Sequence, residues 1–262
     1  MPFSALQTLD RSQAQKIRLI ATDMDGTLTT QGRFTGALLH TLEQLAIAQL
    51  PVLIVTGRSA GWVSGLVQYL PVWGAIAENG GLLLGPAAEQ SWVLADIDYF
   101  SEHRAKLEQM FQALCRDWPT LKVSNDNAFR LTDWTFDVTG LTPAELDQMR
   151  DRCHAQGFGF TYSTVQCHIK LLAQDKAAGL LRVLGRYWPD LTPANLLTVG
   201  DSPNDETLFA PLFPHSVGVA NVLEYRDRLA HQPAYVTQAP EGQGFCELAE
   251  FLLQAKGAAG QE

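Results

Sequence analysis

The chain has 262 residues, 46% of them hydrophobic and 18% charged, enough to bury a sizeable core in one large domain or two modest ones. A formal charge of −9 with no basic run excludes a nucleic-acid partner, whose phosphates need a basic stripe. Met1 to Lys16 carries neither a signal-peptide apolar run nor a membrane span, so no membrane partner is expected and a cytoplasmic location is. Cys115, Cys153, Cys167 and Cys246 lie far apart without CxxC spacing, which argues against a zinc site, a redox pair and a disulfide scaffold.

From Ile17 to Ala77 short apolar runs alternate with helical patterns: IRLIAT, a helix opened by Thr35, PVLIV, a helix near Ser59 to Tyr69, and WGAIA. This βαβαβ order predicts a parallel sheet. The pattern then changes to a helix from about Tyr99 to Trp118, strands LKVSN and FRLTDWTFDV, a helix over Thr142 to Gln156, and strands FGFTYST and CHIKLL. Thr142, Pro143 and Glu145 form a capping box with proline at the first helical position. This αββ unit, met twice, predicts an inserted α+β domain over residues 85–171, with Gly80, Gly81, Gly85 and Pro86 as hinge residues. The first pattern resumes with a helix from Asp175 to Tyr187, strand NLLTV, a short helix after Pro203, strand SVGVA and a closing helix from Phe245. The fold class is therefore α/β, a Rossmann-like parallel sheet core over residues 1–84 and 172–262, interrupted by the insertion.

Ligands bind beyond the carboxyl ends of parallel strands, and the first strand ends in Asp23, Met24, Asp25, Gly26, Thr27. Hydrolysis of a phosphate monoester needs a nucleophile, a proton donor for the leaving oxygen and strong charge neutralisation; Asp23 and Asp25 can divide the first two tasks. Gly26 permits a tight turn that would bring backbone N–H groups there and at Thr27 close to phosphate oxygens. The bland alternative is a simple Asp-Gly turn. The next strand runs into Thr56, Gly57 and Arg58, a phosphate-holding hydroxyl and its neighbours, or else a Thr-Gly turn with a surface arginine.

Gly200, Asp201, Ser202, Pro203, Asn204 and Asp205 follow strand NLLTV. Hard cations such as Mg²⁺ take oxygen ligands, so one carboxylate from each of two strand ends, Asp23 and Asp201, is suitable coordination, with Asp205 acting through water or by orienting a lysine. A helix-capping role is the alternative for the same acids. Lys176 opens the helix that returns the chain to the sheet, and a cation beside a positive helix end asks for an anionic partner. Lys170 competes for this role but falls inside a strand pattern.

These four segments in this order resemble the haloacid dehalogenase superfamily of phosphatases, and an insertion between the second and third resembles its type IIB subfamily, which includes Cof-like and sucrose-phosphate phosphatases. The resemblance implies that Asp23 is phosphorylated during turnover and that Asp25 protonates the leaving alcohol and then activates water. It implies that Thr56 and Lys176 bind the transferring phosphoryl group, with Asn204 near it. Mg²⁺ would be held by the Asp23 side chain, the Asp25 backbone carbonyl and Asp201, with Asp205 in support.

Glu78, Asn79 and Gly80 resemble a segment that faces substrate in this subfamily, although Asn-Gly also encodes a hairpin turn. Arg130, His168 and Lys170 of the insertion are candidate readers of the rest of the substrate, or else exposed strand residues. The expected partner is a small phosphorylated metabolite, a sugar phosphate by family resemblance, and monomer and homodimer stay open. Two rivals remain: phosphoryl transfer to another hydroxyl, as in phosphomannomutases, and a non-catalytic phosphate-binding protein.

Overall fold

The strand runs LIAT, VLIV and GAIA are buried at every position, the pattern of parallel strands covered on both faces. The computed structural model describes residues 3–85 and 91–257, so the expected hinge residue Pro86 lies outside the described residues. The large sheet holds β1 (Ser4–Ala5), β2 (Leu19–Thr22), β3 (Val52–Val55), β4 (Gly74–Ala77), β5 (Leu82–Leu84) and β6 (Ser91–Val93). A smaller sheet holds β7 (Trp134–Asp137), β8 (Phe158–Tyr162) and β9 (Gln166–Leu171) before the chain returns to the large one with β10 (Leu196–Gly200), β11 (Ser216–Gly218) and β12 (Tyr235–Val236). The helices are α1 (Arg11–Gln15), α2 (Gly36–Ile47), α3 (Ala60–Leu66), α4 (Phe100–Asp117), α5 (Pro143–Ala155), α6 (Lys176–Tyr187) and α7 (Glu241–Gly257).

The large sheet runs β1-β12-β11-β10-β2-β3-β4-β5-β6, parallel from β1 to β4 and antiparallel at β5 and β6. Alternate residues divide its core. Ile20, Ile54 and Val199 pack with Leu38 and Leu42 of α2 and Phe245 and Leu248 of α7. Leu19, Leu53 and Ile76 pack on the opposite face with Leu180 and Val183 of α6. Chain segments before and after the small sheet thus close one two-sided core, the α/β arrangement expected.

The small sheet is antiparallel in order β7-β9-β8. Phe136, Phe160 and Ile169 bury one face under Leu107, Phe111 and Leu114 of α4 and Leu146 and Met149 of α5. The period of two then sends Thr135, His168 and Thr161, paired across the three strands, to the opposite, polar face. The Thr142 box that starts α5 is present: its hydroxyl accepts from Glu145 N–H, and the Glu145 carboxylate accepts from Thr142 N–H at 2.8 Å.

Three sequence expectations change. The strand expected over LKVSN reduces to one bridge, Val123 with Phe136, and FRLTDWTFDV yields only β7. Between them Asn125–Phe129 forms a 3-10 turn, held because the Asn127 side chain accepts from Thr135 N–H. The insertion expected to start at residue 85 begins inside a hairpin, since Leu82 pairs with Val93 and the chain stays with the large sheet to Val93.

Candidate active site

Registry brings the acidic segments together. Thr22 pairs with Val199, and Asp23 N–H donates to the Val199 carbonyl at 2.9 Å, so the loops after β2 and β10 leave the same edge side by side. Among the described residues, Asp23, Asp201 and Asp205 offer carboxylate oxygens that all lie within 4.8 Å of one another, all buried. The Lys176 ammonium, fully buried at the first turn of α6, donates to Asp23 Oδ1 at 2.5 Å and Asp205 Oδ1 at 2.6 Å. Asp205 Oδ2 accepts from the backbone N–H groups of Asp201 and Ser202 at 3.0 and 3.1 Å. Asp205 therefore orients the lysine and ties down the loop that carries Asp201.

One ammonium does not balance three buried carboxylates. Burial first, then the charge of Asp205, pushes Asp23 up from its ordinary 3.8 to about 7, although Lys176 pulls the other way. Asp201 rises well above its ordinary 3.8 through burial and its neighbour Asp23. Closely set oxygen donors with excess negative charge fit a hard divalent cation. The loop fits this too: Gly26 has φ +81°, and a Cβ there would stand 2.5 Å from Asp201 Oδ2.

Asn221, which sequence reasoning did not single out, donates to Asp201 Oδ2 at 2.9 Å and to the Gly26 carbonyl at 3.1 Å. Its position just beyond β11, at the same sheet edge as Asp23 and Asp201, was the available signal. Around Gly26 and Thr27 the loop bonds to itself and to Asp201. The Gly26 N–H donates to Thr29 Oγ1 at 2.9 Å, the Thr27 N–H to the Met24 carbonyl at 3.3 Å and the Thr27 hydroxyl to Asp201 Oδ1 at 3.1 Å.

Asp25 faces the same opening, where Arg58 grips both its oxygens through Nη2 at 2.6 Å and Nε at 2.8 Å. Arg58 also lies over the Trp62 ring, 5.3 Å from its centroid. Thr56 is buried at the end of β3, and its hydroxyl accepts from Arg58 N–H at 3.1 Å. Asn204 Nδ2 donates to Asn79 Oδ1 at 3.4 Å, while Asn79 Nδ2 is buried without a hydrogen-bond partner.

Glu78, Asn79 and Gly80 do form the tight turn of the β4–β5 hairpin, with φ of +54°, +52° and +96°. Asn79 faces Gly57 and the small sheet, but Glu78 does not face the opening. Its carboxylate accepts from the N–H groups of Ala60, Leu131 and Thr132 and from the Thr132 hydroxyl, fastening the large sheet to the segment before β7. Arg130, His168 and Lys170 are all buried, not exposed. Arg130 donates to Asp133, Asp126, Gln166 and the Gly57 carbonyl, and Lys170 to the Gln174 carbonyl. His168 joins the opening lined by Asp23, Asp25, Thr56, Gly57 and Arg58, whose volume is only about 10 Å³.

A family model described as haloacid dehalogenase-like hydrolase matches residues 20–116. A phosphoglycolate phosphatase of Haloarcula marismortui is 30% identical over 237 residues, covering 86% of this chain and 92% of that protein. The chain belongs to the haloacid dehalogenase-like hydrolases. The fold agrees with that membership. A crystal structure of a Thermoplasma acidophilum protein superposes with a TM-score of 0.72 at 22% identity, covering 90% of this chain and 99% of that one. The sucrose-phosphatase of Synechocystis, solved with sucrose and phosphate, gives 0.68 at 20% identity, covering 90% and 98%. This hydrolase is a phosphatase of the type that carries an inserted α+β unit. No helix among the described residues is long and apolar enough to cross a membrane.

Proposed function

We propose that this hydrolase removes phosphate from a small phosphorylated metabolite by way of an aspartyl phosphate on Asp23, with Mg²⁺ bound. The observation that carries the reading is the meeting of Asp23, Asp201 and Asp205 within 4.8 Å around the ammonium of Lys176. The Asp23 and Asp201 carboxylates and the Asp25 backbone carbonyl would hold the ion, and Asp205 would brace the loop beside it. Bound there, Mg²⁺ supplies positive charge against the phosphoryl oxygens and offsets the excess negative charge of the site.

In the first displacement the Asp23 carboxylate attacks phosphorus as the P–O bond to the alcohol breaks, and Asp25 gives the leaving oxygen its proton. In the second, Asp25 takes a proton from water as that water attacks the aspartyl phosphate, releasing inorganic phosphate and restoring Asp23. Lys176 and the Thr56 hydroxyl hold the transferring group. The Arg58 guanidinium occupies both Asp25 oxygens, so it has to turn to the incoming phosphate before Asp25 can reach the leaving oxygen.

In this reading the expected insertion over residues 85–171 serves, from beyond Val93 onward, as a cap over a core of residues 1–84 and 172–262 to which strand β6 also belongs. Four free thiols suit a cytoplasmic enzyme. Relatives named phosphoglycolate phosphatase and a structural neighbour named sucrose-phosphatase support a substrate among short phosphorylated acids and sugar phosphates. The test is release of inorganic phosphate from para-nitrophenyl phosphate. Release should require Mg²⁺ and vanish in Asp23→Asn; undiminished release by that variant would refute the assignment.

A further inference from the structure

The inner face of the small sheet carries a buried charged assembly that the proposed chemistry does not use. His168 Nδ1 lies 2.8 Å from Asp133 Oδ2, and Arg130 Nη1 donates to both Asp133 oxygens at 3.0 Å. Asp133 and the Arg130 and His168 side chains are essentially inaccessible to solvent. Paired with a guanidinium, Asp133 is a carboxylate and only accepts hydrogen bonds, so the hydrogen between the two residues belongs to His168 Nδ1. Burial holds the imidazolium form down, and Asp133 already has a cation of its own in Arg130, which it shares with Asp126. The ring is then neutral and its Nε2 is a lone-pair acceptor.

That acceptor points across the seam between the two sheets. The place a Cβ would take on Gly57 lies 3.2 Å from His168 Nε2 and 3.2 Å from Asn79 Nδ2. His168 comes from the small sheet and Asn79 from the β4–β5 turn, yet both polar atoms converge above one glycine, and His168 lines the opening that contains Asp23 and Asp25. Asn79 Nδ2 is a buried donor without a partner. Asn79 Oδ1 accepts from Asn204 Nδ2 at 3.4 Å, which turns Nδ2 toward His168. A buried amide without a partner is costly enough to ask for a ligand atom.

A fixed acceptor beside a fixed donor matches a group that both donates and accepts through one atom, which is a hydroxyl. A carboxylate would satisfy Asn79 but meet the lone pair of His168. We propose that His168 is a specificity-determining residue: it accepts a hydrogen bond from a free hydroxyl on the alcohol portion of the substrate, whose oxygen accepts in turn from Asn79. This rests on the phosphatase reading and deepens it, selecting phosphate esters of polyols, sugars or hydroxy acids over esters without a second hydroxyl.

The test compares glycerol 3-phosphate with n-propyl phosphate, which lacks the hydroxyls, alongside para-nitrophenyl phosphate. The wild-type kcat/KM ratio of glycerol to propyl ester should be about tenfold or more, since a site built to bond a hydroxyl penalises its absence. In His168→Ala the ratio should fall to within about twofold of unity, while His168→Gln, which returns a carbonyl acceptor near the Nε2 position, keeps part of it. Because both esters are measured on one preparation, partial unfolding of a variant cancels from the ratio. Equal rates for the two esters in a wild-type enzyme that hydrolyses the aryl ester would overturn the proposal and leave the phosphatase reading intact. A ratio unchanged in His168→Ala would overturn it as well. No release from any of the three esters would defeat both.

Discussion

Two buried charged assemblies face each other across the opening, and they are built on opposite principles. The one on the large sheet, Asp23, Asp201, Asp205 and Lys176, is left short of positive charge, and Asp23 and Asp201 are raised accordingly. The one on the small sheet, Arg130, Asp133, Asp126 and His168, comes closer to balance: one guanidinium, shared by two carboxylates, offsets burial and holds both Asp133 and Asp126 below the usual carboxylate range. On the proposed reading the first takes up a cation and a phosphoryl group, while the second keeps its charges paired and offers one lone pair outward. A site that performs chemistry keeps its charge unmet, whereas a site that recognises shape and hydrogen bonds has its charge settled beforehand.

The largest effect should come from the unmet side. Asp23→Asn should lose phosphatase activity on the order of 10⁴-fold or more, the scale of removing a nucleophile, measured by inorganic phosphate release. Next comes the settled side. Asp133→Asn leaves Arg130 and His168 buried without their shared anion, and loss of one partner from a buried pair costs about 3–5 kcal/mol. Urea denaturation should show that loss, and a change below about 1 kcal/mol would mean the assembly is not balanced as described.

A smaller effect separates the two through pH. In the ion-free protein the raised Asp23 favours the folded state below its ordinary 3.8, and that advantage fades as pH climbs through about 7. A divalent ion held by Asp23 and Asp201 would displace the protons these raised carboxylates keep, so apparent Mg²⁺ affinity should strengthen by about tenfold or more between pH 5 and 7, followed by titration calorimetry. An affinity flat over that range would contradict the charge deficit. The smallest effect tests the scaffold alone: Thr142→Ala removes the cap of α5 and should cost about 1 kcal/mol in denaturant, leaving the preference for a hydroxylated ester in place.

The unmet side was legible because parallel strands deliver their ends to one edge. Asp23, Thr56 and Asp201 each follow an apolar run, and Lys176 opens a helix that needed an anion. The settled side was not, because a period of two in CHIKLL shows that His168 and Lys170 share a polar face but not that the large sheet covers it. Arg130, four residues from Asp126 and three from Asp133, read as part of an extended strand; the 3-10 turn that folds it inward depends on Asn127 reaching Thr135. Glu78 was misplaced for a related reason. Its turn was recognised, yet a left-handed backbone at that position aims the carboxylate at the neighbouring unit, and the donors it finds there lie more than fifty positions along the chain.

The opening of about 10 Å³ has room for little more than a single water molecule. On the proposed reading a phosphate ester needs more room than this, so the two sheets would part for each molecule processed and again for each alcohol discharged. Throughput would then be set partly by hydrodynamics, and a viscous cosolvent should slow steady-state cycling on activated esters while sparing the rate of bond cleavage within a single closed complex.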